Sequence, residues 1–466
     1  MPGLANAKVP RVKADVTAHG LDDAGCGVGD ADGRRLHVAD LLPGERAEVA
    51  IDHASPHKPE AWARVVRRLG PPSRERVAPA CPAFGRCGGC TWQHLAYPAQ
   101  LAAKRARVVA ALGATPVTVA DVRPSPAELG YRNKGKYVVG AAGIGDVILG
   151  AYAPRSHRVV DTLGCRVVAP IIDEVAVWLR GAVTRAGLVP YDEQTRAGEL
   201  RYAIVRESEG DVMIVLVVTS AVVRAKLESV ANAMANHPAV RGIVAITNDR
   251  RDGAIVPSGS AAWVLLGHGY LVEHLAGVPI EVGAAEFLQV NRAQAAAMYA
   301  RVAELAQRPH LPGGSAQAAD RTYRAVDLFA GLGGIGLHLA RAGIEVVAVE
   351  IDRDAVAQLR RAAVAANLPL TAIAGDAGKI DDDVRATLGD APDVVIVNPP
   401  RKGLGGAERL VGELGAATVV YVSCGPDSLG RDLTALAGYG YRADVIEPFD
   451  LMPGTAQVET VVRLRR

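Results

Sequence analysis

Between Val326 and Asp352 the spacing of hydrophobic positions changes twice, which predicts a strand, a turn, a helix and a second strand. A short apolar run leads into a glycine turn, and helical spacing follows from Ile335 to Arg341. A second apolar run extends from Glu345 to Val349 and ends on Glu350. A carboxylate about twenty residues after such a turn can accept both hydroxyls of a ribose. This stretch therefore predicts a site for a nucleotide-like cofactor.

Two further strand ends narrow the class of cofactor. Asn398-Pro399-Pro400-Arg401 follows the apolar run Val394 to Val397, and Ser423-Cys424-Gly425-Pro426 follows the run Val419 to Val422. An amide or acid followed by two prolines at a strand end is typical of S-adenosylmethionine-dependent methyltransferases and not of dehydrogenases. A glycine turn alone is a weak signal, whereas the turn, Glu350 and these two motifs in order are a strong one.

The chain divides into three predicted parts, so the expected fold class is multidomain α/β. Residues 1–70 carry short β-rich runs and a glycine turn at Gly25 to Gly33, which predict a five-stranded, oligonucleotide-binding-style β-barrel, with or without a ligand. Residues 71–285 mix helical and strand patterns and predict an α+β domain. Residues 286–466, which include a flexible connector from Arg308 to Arg324, alternate strand and helix and predict a doubly wound sheet.

Basic residues concentrate between residues 71 and 140, although the net charge of the whole chain is only +2. This region holds ten basic residues against three acidic ones, which suits a polyanion or, equally, a solvated basic face. A helix predicted from Gln93 to Leu112 carries some of them on its polar side, and Tyr131 to Val139 alternates aromatic and basic residues like a strand that meets RNA. The ten are Arg74, Arg76, Arg86, Lys104, Arg105, Arg107, Arg123, Arg132, Lys134 and Lys136.

The cysteines predict a metal centre in a reducing compartment. Cys81, Cys87 and Cys90 lie within one stretch of ten residues, and Cys165 is the candidate for a fourth ligand. Four thiolates suit either an iron-sulfur cluster or zinc. A structural zinc site usually pairs one CxxC with a second, and a single CxxC is present here, which favours the cluster. The longest apolar stretch falls well short of the ~18 residues that a membrane span needs, so a cytoplasmic protein is expected.

The chain resembles one family over nearly its whole length: the bacterial RNA uracil-5-methyltransferases that carry an N-terminal TRAM domain and an iron-sulfur cluster. The most specific parts are CPAFGRCGGCTWQH, FLQVN, DLFAGLGGIGLHLA, NPPRKG, SCGP and the terminal QVETVVRL. The resemblance implies a TRAM barrel, a central cluster domain and a Rossmann-like class I methyltransferase domain. The chain departs from the family pattern at Gly334, where a residue with a side chain often stands, and at Gln457, where histidine is common.

The resemblance also implies which residues hold the cofactors. Cys81, Cys87, Cys90 and Cys165 match the ligands of a [4Fe-4S] cluster. The predicted residues that bind S-adenosylmethionine are Gln289, Phe329, Gly331, Gly333, Glu350, Asp376 and Asn398; at the last of these positions many members have Asp, and one ribosomal branch has Asn.

The chemistry of uracil methylation assigns two catalytic roles. Uracil C5 is a poor nucleophile until a thiolate adds to C6, and Cys424 stands at a strand tip beside the predicted cofactor site. After methyl transfer a base must remove the C5 hydrogen, and Glu459 matches the base of the family. Asn398 is a candidate to contact the uracil edge, and Arg401 and Lys402 are candidates to hold a neighbouring phosphate.

The expected function is S-adenosylmethionine-dependent methylation of a uridine in 23S rRNA. Transfer RNA stays open as the substrate, because the enzymes that act on it share the catalytic motifs. An exocyclic amino-methyltransferase and a non-catalytic RNA-binding cluster protein are the alternatives. A monomer with an RNA partner and no membrane partner is expected.

Overall fold

A computed structural model describes residues 13–113, 116–143, 145–250, 254–256, 260, 262–307, 322–379, 386–387 and 391–466. The connector predicted from Arg308 to Arg324 lies outside these residues except for its last three positions. Among the described helices, none combines the length and the apolarity needed to cross a bilayer.

The N-terminal part is a small curled sheet of six strand segments. Their order is β1-β5-β6-β4-β3-β2, so the two edge segments are neighbours in the chain, and His19 N–H between them donates to Val28 O of β3 at 2.8 Å. This arrangement is consistent with the predicted small barrel, with its first strand bent into two segments. The segments are β1 Lys13–Thr17, β2 Gly20–Leu21, β3 Gly27–Ala31, β4 Arg34–Ala39, β5 Arg46–Ala54 and β6 Glu60–Arg68.

The segment Gly25 to Gly33, which the sequence predicted to be a turn, contains strand β3. Its glycines are required by close packing inside the curled sheet. A Cβ on Gly27 would lie 2.3 Å from Leu41 O, and a Cβ on Gly29 would lie 2.4 Å from Val16 Cγ2. The prediction of a turn holds at the two ends of the segment, around Gly25 and Gly33, and is wrong for Gly27–Ala31, because glycine in a strand can also mark a close approach of another segment.

The central part is a seven-stranded sheet with helices on one face, which is the expected α+β mixture. The strand order is β13-β12-β11-β10-β7-β8-β9, and helices α2 and α3 pack on the face that carries Tyr137 and Val205. A two-stranded hairpin, β14 and β15, follows the sheet. The elements are β7 Lys134–Gly143, β8 Asp146–Tyr152, β9 Val159–Asp161, α2 Pro170–Arg185, β10 Leu200–Ser208, β11 Asp211–Val218, α3 Arg224–Met234, β12 Val240–Thr247, β13 Ala262–Gly267, β14 Tyr270–Leu275 and β15 Val278–Gly283.

The C-terminal part is a doubly wound α/β sheet, as predicted. Its order is β18-β17-β16-β19-β20-β22-β21, in which the first five strands are parallel and β22 and β21 are antiparallel to their neighbours. The strands are β16 Arg324–Leu328, β17 Glu345–Glu350, β18 Leu370–Ala374, β19 Val394–Val397, β20 Thr418–Ser423, β21 Arg442–Phe449 and β22 Glu459–Arg465. The helices are α4 Arg292–Ala306, α5 Gly334–Arg341, α6 Arg353–Ala365, α7 Ala407–Leu414 and α8 Pro426–Ala437.

The core of this C-terminal sheet takes in elements from the central stretch of the chain. On one face, α4, α5 and α6 pack together with Val278, Ile280 and Val282 of β15. On the other face, α7 and α8 pack with Val108 of a further helix, α1, which spans Tyr97–Leu112. Helix α1, which precedes the central sheet in the chain, and strand β15, which follows it, therefore both pack on the C-terminal sheet.

Helix α1 does not present its basic residues to solvent in the way the sequence suggested. Lys104 is fully buried, and its Nζ lies 2.5 Å from Asp450 Oδ1. Arg105 donates to Val119 O, and Arg107 pairs with Asp23 at 2.6 Å. The polar side of the helix is thus occupied by partners that lie far away in the sequence, which helical periodicity cannot reveal.

Candidate active site

The glycine turn lies at the carboxyl end of β16, where the chain enters α5. Phe329, Gly331 and Gly333 have positive φ angles of 61°, 56° and 81°. Such an angle strains Phe329, which carries a Cβ, and leaves the two glycines unstrained. A Cβ on Gly333 would also lie 2.3 Å from Leu359 Cδ1 of α6. The turn therefore needs glycine for its backbone conformation and for its packing, and it brings bare backbone to the edge of the sheet.

Glu350 closes the turn from the neighbouring strand. It is the last residue of β17, and its Oε2 accepts a hydrogen bond from Gly331 N–H at 2.8 Å. Its Oε1 accepts from Asp352 N–H at 2.9 Å. Because β16 and β17 are parallel, the turn and the carboxylate meet at the same edge. The structure thus brings together four residues of the predicted cofactor site.

Asp376 and Asn398 follow the next two strand ends along this edge. Asp376 comes two residues after β18, and its Oδ1 accepts a hydrogen bond from Gly378 N–H at 2.9 Å. Asn398 comes directly after β19, and its backbone N–H donates to Leu328 O of β16 at 3.3 Å. Parallel strands of a doubly wound sheet bind ligands at their carboxyl ends, so both residues lie at the expected edge.

Gln289 reaches this edge from the segment that precedes α4. Asn291 anchors that segment, because its Oδ1 accepts from Gln294 N–H and its amide donates to Leu451 O at 3.2 Å. The neighbouring Leu288 packs against the apolar cluster that contains Leu332 of the glycine turn. Gln289 is partly exposed.

Cys424 and Glu459 lie opposite each other on neighbouring antiparallel strands. Ser423 of β20 pairs with Thr460 of β22, so the next position on each strand brings the thiol and the carboxyl group side by side. Burial raises the pKa of the Cys424 thiol, and the charge of Glu459 raises it further. Burial raises the pKa of Glu459 to about 8. The candidate nucleophile and the candidate base, both with raised pKa values, therefore share one edge of the sheet with the glycine turn.

Arg401 supplies the positive charge beside this pair. It acts against burial by lowering the pKa values of both Cys424 and Glu459. Its guanidinium donates to Gln457 Oε1 at 3.0 Å. Gln457, one of the two departures from the family pattern, therefore orients the cation that favours the charged forms of the thiol and the carboxyl group.

Two buried residues behind the turn were missed by the sequence analysis. Asp327 of β16 is 1% exposed, and burial, together with the charge of Glu350, raises its pKa to about 7. Tyr299 of α4 has its pKa raised by burial and by the charges of Glu459 and Asp327, so its phenol lies near both acids. An acid inside an apolar strand is a signal that could have pointed to Asp327. No comparable local signal marks Tyr299.

The second departure from the family pattern, Gly334, is explained by Tyr299. A Cβ on Gly334 would lie 2.7 Å from Cε2 of the Tyr299 ring. The ring is also in edge contact with His338 of α5, at 5.8 Å between centroids. The space that a side chain at position 334 would fill is therefore occupied by an aromatic ring from another helix.

The four predicted cysteine ligands lie in one neighbourhood, contributed by two loops. Burial raises the pKa of Cys87, and the nearby Cys165 and Cys81 raise it further. Burial raises the pKa of Cys90 to about 11, again with contributions from Cys165 and Cys87. Gly89 N–H donates to Cys87 Sγ at 3.3 Å. Thiols that are 75 residues or more apart in the chain, such as Cys90 and Cys165, are thus close enough to influence one another.

The positions of these thiols do not form a ready site for a single metal ion. Within the residues that the structure describes, no three His, Cys, Asp or Glu side chains are grouped closely enough to ligate one ion. The loop of Cys81 to Cys90 is fastened on both sides instead: Gly88 N–H donates to Tyr152 O, and Trp92 N–H donates to Gly454 O. Cys26, outside this group, is buried in the N-terminal sheet.

Comparison with known proteins places the chain among RNA-modifying enzymes. A family model described as the methyltransferase small domain matches residues 315–416. An uncharacterized RNA methyltransferase of Halalkalibacterium halodurans is 32% identical over 97% of this chain and 96% of its own length. Another, of Geobacter sulfurreducens, is 33% identical over 99% of this chain and 91% of its own length.

One solved structure matches nearly the whole molecule. The crystal structure of Pyrococcus abyssi tRNA (uracil-54, C5)-methyltransferase in complex with S-adenosyl-L-homocysteine has a TM-score of 0.73. The match covers 96% of this chain and 99% of that one, at 24% sequence identity. At this identity the comparison shows a shared fold.

Proposed function

Because this chain belongs to the S-adenosylmethionine-dependent RNA methyltransferases, we propose that it transfers a methyl group to C5 of a uridine in RNA. Its C-terminal sheet has the class I methyltransferase fold within a multidomain α/β architecture. The observation that carries the proposal is the position of Cys424 opposite Glu459, with Arg401 beside them. Methylation at C5 requires both a nucleophile and a base, whereas methylation of an exocyclic amino group leaves the cysteine without a role.

Cys424 performs the first step. Its thiolate adds to C6 of the uracil ring, the C5–C6 double bond breaks, and the electron pair moves to an enolate that makes C5 nucleophilic. Arg401 promotes this step because it lowers the pKa of the thiol. Bound S-adenosylmethionine supplies an electrophilic methyl group that is held by a positively charged sulfur.

Glu459 performs the last step. After C5 has gained the methyl group it still carries its hydrogen, and the Glu459 carboxylate takes that proton. The electrons of the C5–H bond re-form the C5–C6 double bond, and the bond between C6 and Cys424 Sγ breaks. The free thiolate and the 5-methyluridine are regenerated, so the cysteine acts as a catalyst and is not consumed.

The edge of the sheet that carries the glycine turn holds the methyl donor. Glu350 accepts the ribose hydroxyls, and the bare backbone of Gly331 and Gly333 allows the close approach of the nucleoside. The remaining cofactor contacts in this proposal come from Gln289, Phe329, Asp376 and Asn398. Asn398 directly follows β19 at this edge, and we also assign its amide to the uracil edge.

Cys81, Cys87, Cys90 and Cys165 hold a [4Fe-4S] cluster in this proposal. Their donor chemistry fits, since all four are thiols, and Cys165 lies close enough to Cys87 and Cys90 to raise the pKa values of both. A four-iron cube is wider than a single ion, so thiols that are too far apart for one ion remain compatible with a cluster. The cluster fastens the Cys81 to Cys90 loop to the central sheet and takes no part in methyl transfer.

The substrate is ribosomal RNA of the large subunit, with transfer RNA as the alternative. The resemblance to TRAM-domain cluster enzymes supports 23S rRNA. The Pyrococcus abyssi neighbour, which acts on tRNA according to its description, supports the alternative. The N-terminal curled sheet and the part of the central sheet that carries Lys134 and Lys136 serve as RNA-binding surfaces in either case.

The test is methyl transfer from labelled S-adenosylmethionine to unmodified 23S rRNA and, in parallel, to unmodified tRNA, with anaerobically purified protein. The expected product is 5-methyluridine in one of the two RNAs, with iron and acid-labile sulfide close to four per chain. Cys424→Ala should abolish product while S-adenosylmethionine still binds. Glu459→Gln should accumulate an RNA adduct that is stable on a denaturing gel, and the double variant should lose it. An N-methylated base as the product would contradict the proposal.

A further inference from the structure

One face of the central sheet is left without helices. Alternate residues of β7 and β10 point away from α2, and among them are Lys134, Lys136 and Val138 on β7 and Tyr202 and Arg206 on β10. Val138 and Tyr202 belong to an apolar cluster separate from the one that α2 and α3 cover. This face therefore combines aromatic and apolar surface with a row of cations.

The cations on this face have fewer protein partners than those of α1. In the described part of the chain neither Lys134 nor Lys136 has an acidic group within ion-pair distance. Burial lowers the pKa of Lys134 to about 8, and the nearby charges of Arg206 and Arg132 contribute to this shift. Burial and Arg132 also lower the pKa of Lys136. Arg206 has Glu273 and Glu286 nearby, whereas among the described residues the two lysines have no ion pair to give up when an anionic ligand binds.

A cleft opens at one end of this row. It has a volume of about 510 Å³, within the range of roughly 300–1,000 Å³ for small-molecule sites. Its lining includes the apolar and aromatic residues Val138, Tyr152 and Tyr202 and the polar residues Lys136, His157 and Glu193. The His157 ring is edge-on to Tyr152 at 5.5 Å between centroids. Aromatic faces beside cations are the groups on which proteins stack unpaired RNA bases.

The aromatic lining is held rigidly before any ligand binds. The guanidinium of Arg201 stacks on Tyr202 at 5.6 Å and is itself fixed by Asn248 O at 3.0 Å and by Glu193 at 2.8 Å. A preformed aromatic surface costs less to order when a base binds to it.

The opposite end of the row meets the candidate active site. Lys134 lies over the ring of Phe287 at 5.8 Å, and Phe287 is 68% exposed and stands two residues before Gln289. Lys134 and Val138 are four residues apart on one strand, a distance of about 13 Å. A few linked nucleotides can span that distance. The row of cations therefore connects the catalytic edge to the cleft.

We propose that this cleft is a second nucleotide subsite, which takes an unstacked base of the same RNA strand a few nucleotides away from the methylated uridine. Tyr152, which is partly exposed, contacts the base, and Lys136 meets the adjoining phosphate. Tyr202 is 6% exposed and forms part of the cleft wall. The inference rests on the proposed function in that it takes RNA to be the substrate. Gly88 and Gly89 form one side of the cleft, so the Cys81 to Cys90 loop approaches the ligand without side chains.

The test is fluorescence anisotropy with a labelled, mixed-sequence single-stranded RNA of 12 nucleotides, titrated against the full-length protein. Tyr152→Ala should weaken binding between about fivefold and 150-fold, the usual range for loss of one stacked base, while Tyr152→Phe should bind like the unchanged protein. Lys136→Ala should weaken binding and reduce the slope of log K against log salt by about 0.7. Arg224→Ala removes an exposed cation from α3, on the covered face, and should change affinity less than twofold.

Equal affinity of the Tyr152→Ala and Tyr152→Phe proteins, or no RNA binding by the unchanged protein, would overturn the subsite. The fate of the proposed function is read separately, from the product nucleoside. An N-methylated base together with Tyr152-dependent binding leaves the subsite standing and removes uracil C5 as the target. 5-Methyluridine together with unchanged binding by Tyr152→Ala removes the subsite alone.

Discussion

Lys104 of α1 and Asp450, which follows β21, form a fully buried ion pair with 2.5 Å between Nζ and Oδ1. Lys104 also donates to Met452 O at 3.1 Å, and Asp450 Oδ1 accepts from Met452 N–H at 3.0 Å. The pair fastens the helix that follows the cysteine loop to the sheet that carries Cys424. The two partners are 346 positions apart in the sequence, so the ion pair joins distant parts of the chain.

Replacing Lys104 by Met should destabilise the protein by about 3–5 kcal/mol, because it leaves the Asp450 carboxylate buried without a cation. Urea denaturation followed by circular dichroism measures this loss. Adding Asp450→Asn to Lys104→Met should recover part of the stability, since the uncompensated charge is removed. Arg224→Ala, which breaks an exposed pair with Glu228, is the control and should cost less than about 1 kcal/mol. If Lys104→Met and Arg224→Ala lowered the free energy of unfolding by the same amount, the role given to the buried pair would be contradicted.

Arg401 should set the pH dependence of the reaction. It lowers the pKa values of Cys424 and Glu459, both of which act in their deprotonated forms, so its removal raises both pKa values. We expect kcat/KM of the unchanged protein to rise with pH through about 8, where Glu459 ionises, and to go on rising above pH 9.0 as Cys424 ionises; both rises should move to higher pH in Arg401→Ala. Arg401→Lys keeps the charge and should restore much of the profile. Lys402→Ala, the neighbouring exposed cation, should alter KM for RNA without moving the profile.

Glu459 should also affect stability in a pH-dependent way. Its folded-state pKa of about 8 lies above its usual value of 4.5, so the folded protein holds a proton that the unfolded chain releases. The stability contributed by this proton is fully present below about pH 4.5 and is lost as pH rises through 8. Glutamine does not ionise, so the Glu459→Gln protein keeps its stability over this range. The difference in melting temperature, variant minus unchanged protein, should therefore increase between pH 5 and pH 9. A constant difference across that range would contradict the raised pKa.

Glu350 should contribute mainly to cofactor affinity. Glu350→Ala removes the carboxylate that holds Gly331 N–H and that we assign to the ribose hydroxyls. Loss of hydrogen bonds to a charged group typically costs about 1.5–3 kcal/mol, so the Kd for S-adenosylmethionine should increase between about tenfold and 150-fold. Isothermal titration calorimetry measures the change. Glu345→Ala, at the other end of the same strand, should leave the Kd within twofold, and a similar loss there would point to damage of the whole strand.

Gly334 and Tyr299 should be energetically coupled. Gly334→Ala places a Cβ about 2.7 Å from the Tyr299 ring and forces it to move, which should lower the melting temperature. In a Tyr299→Leu background the same change should cost less, with a coupling free energy of about 0.5–3 kcal/mol. A double-mutant cycle by chemical denaturation measures it. Strictly additive effects would show that the ring does not limit the side chain at position 334.

The order of local elements around the cofactor edge was predictable from the sequence. The strand, turn and helix between Val326 and Glu350 formed as expected, because strand and helix spacing and glycine turns depend on residues close in the chain. The strand-tip positions of Cys424 and Asn398 follow from the same short-range rules.

The sequence pattern did not predict the surroundings of residues whose neighbours lie in distant segments of the chain. Lys104 was expected on a solvated helix face and is buried, since only folding brings Asp450 to it. Gly27 and Gly29 were expected in a turn and lie in a strand, because Leu41 and Val16 approach them closely.

The sequence by itself therefore determined the class of protein, through its resemblance to a known family. It also determined the doubly wound C-terminal sheet and the positions of the candidate nucleophile and cofactor turn, which rest on local spacing and turn chemistry. Only the tertiary structure decided that Glu459 lies opposite Cys424, through the register of β20 and β22. It also decided that Tyr299 fills the space at Gly334 and that Lys134 and Lys136 lie on the helix-free face of the central sheet. Burial and electrostatic environment depend on which distant segments meet, and no local pattern encodes that.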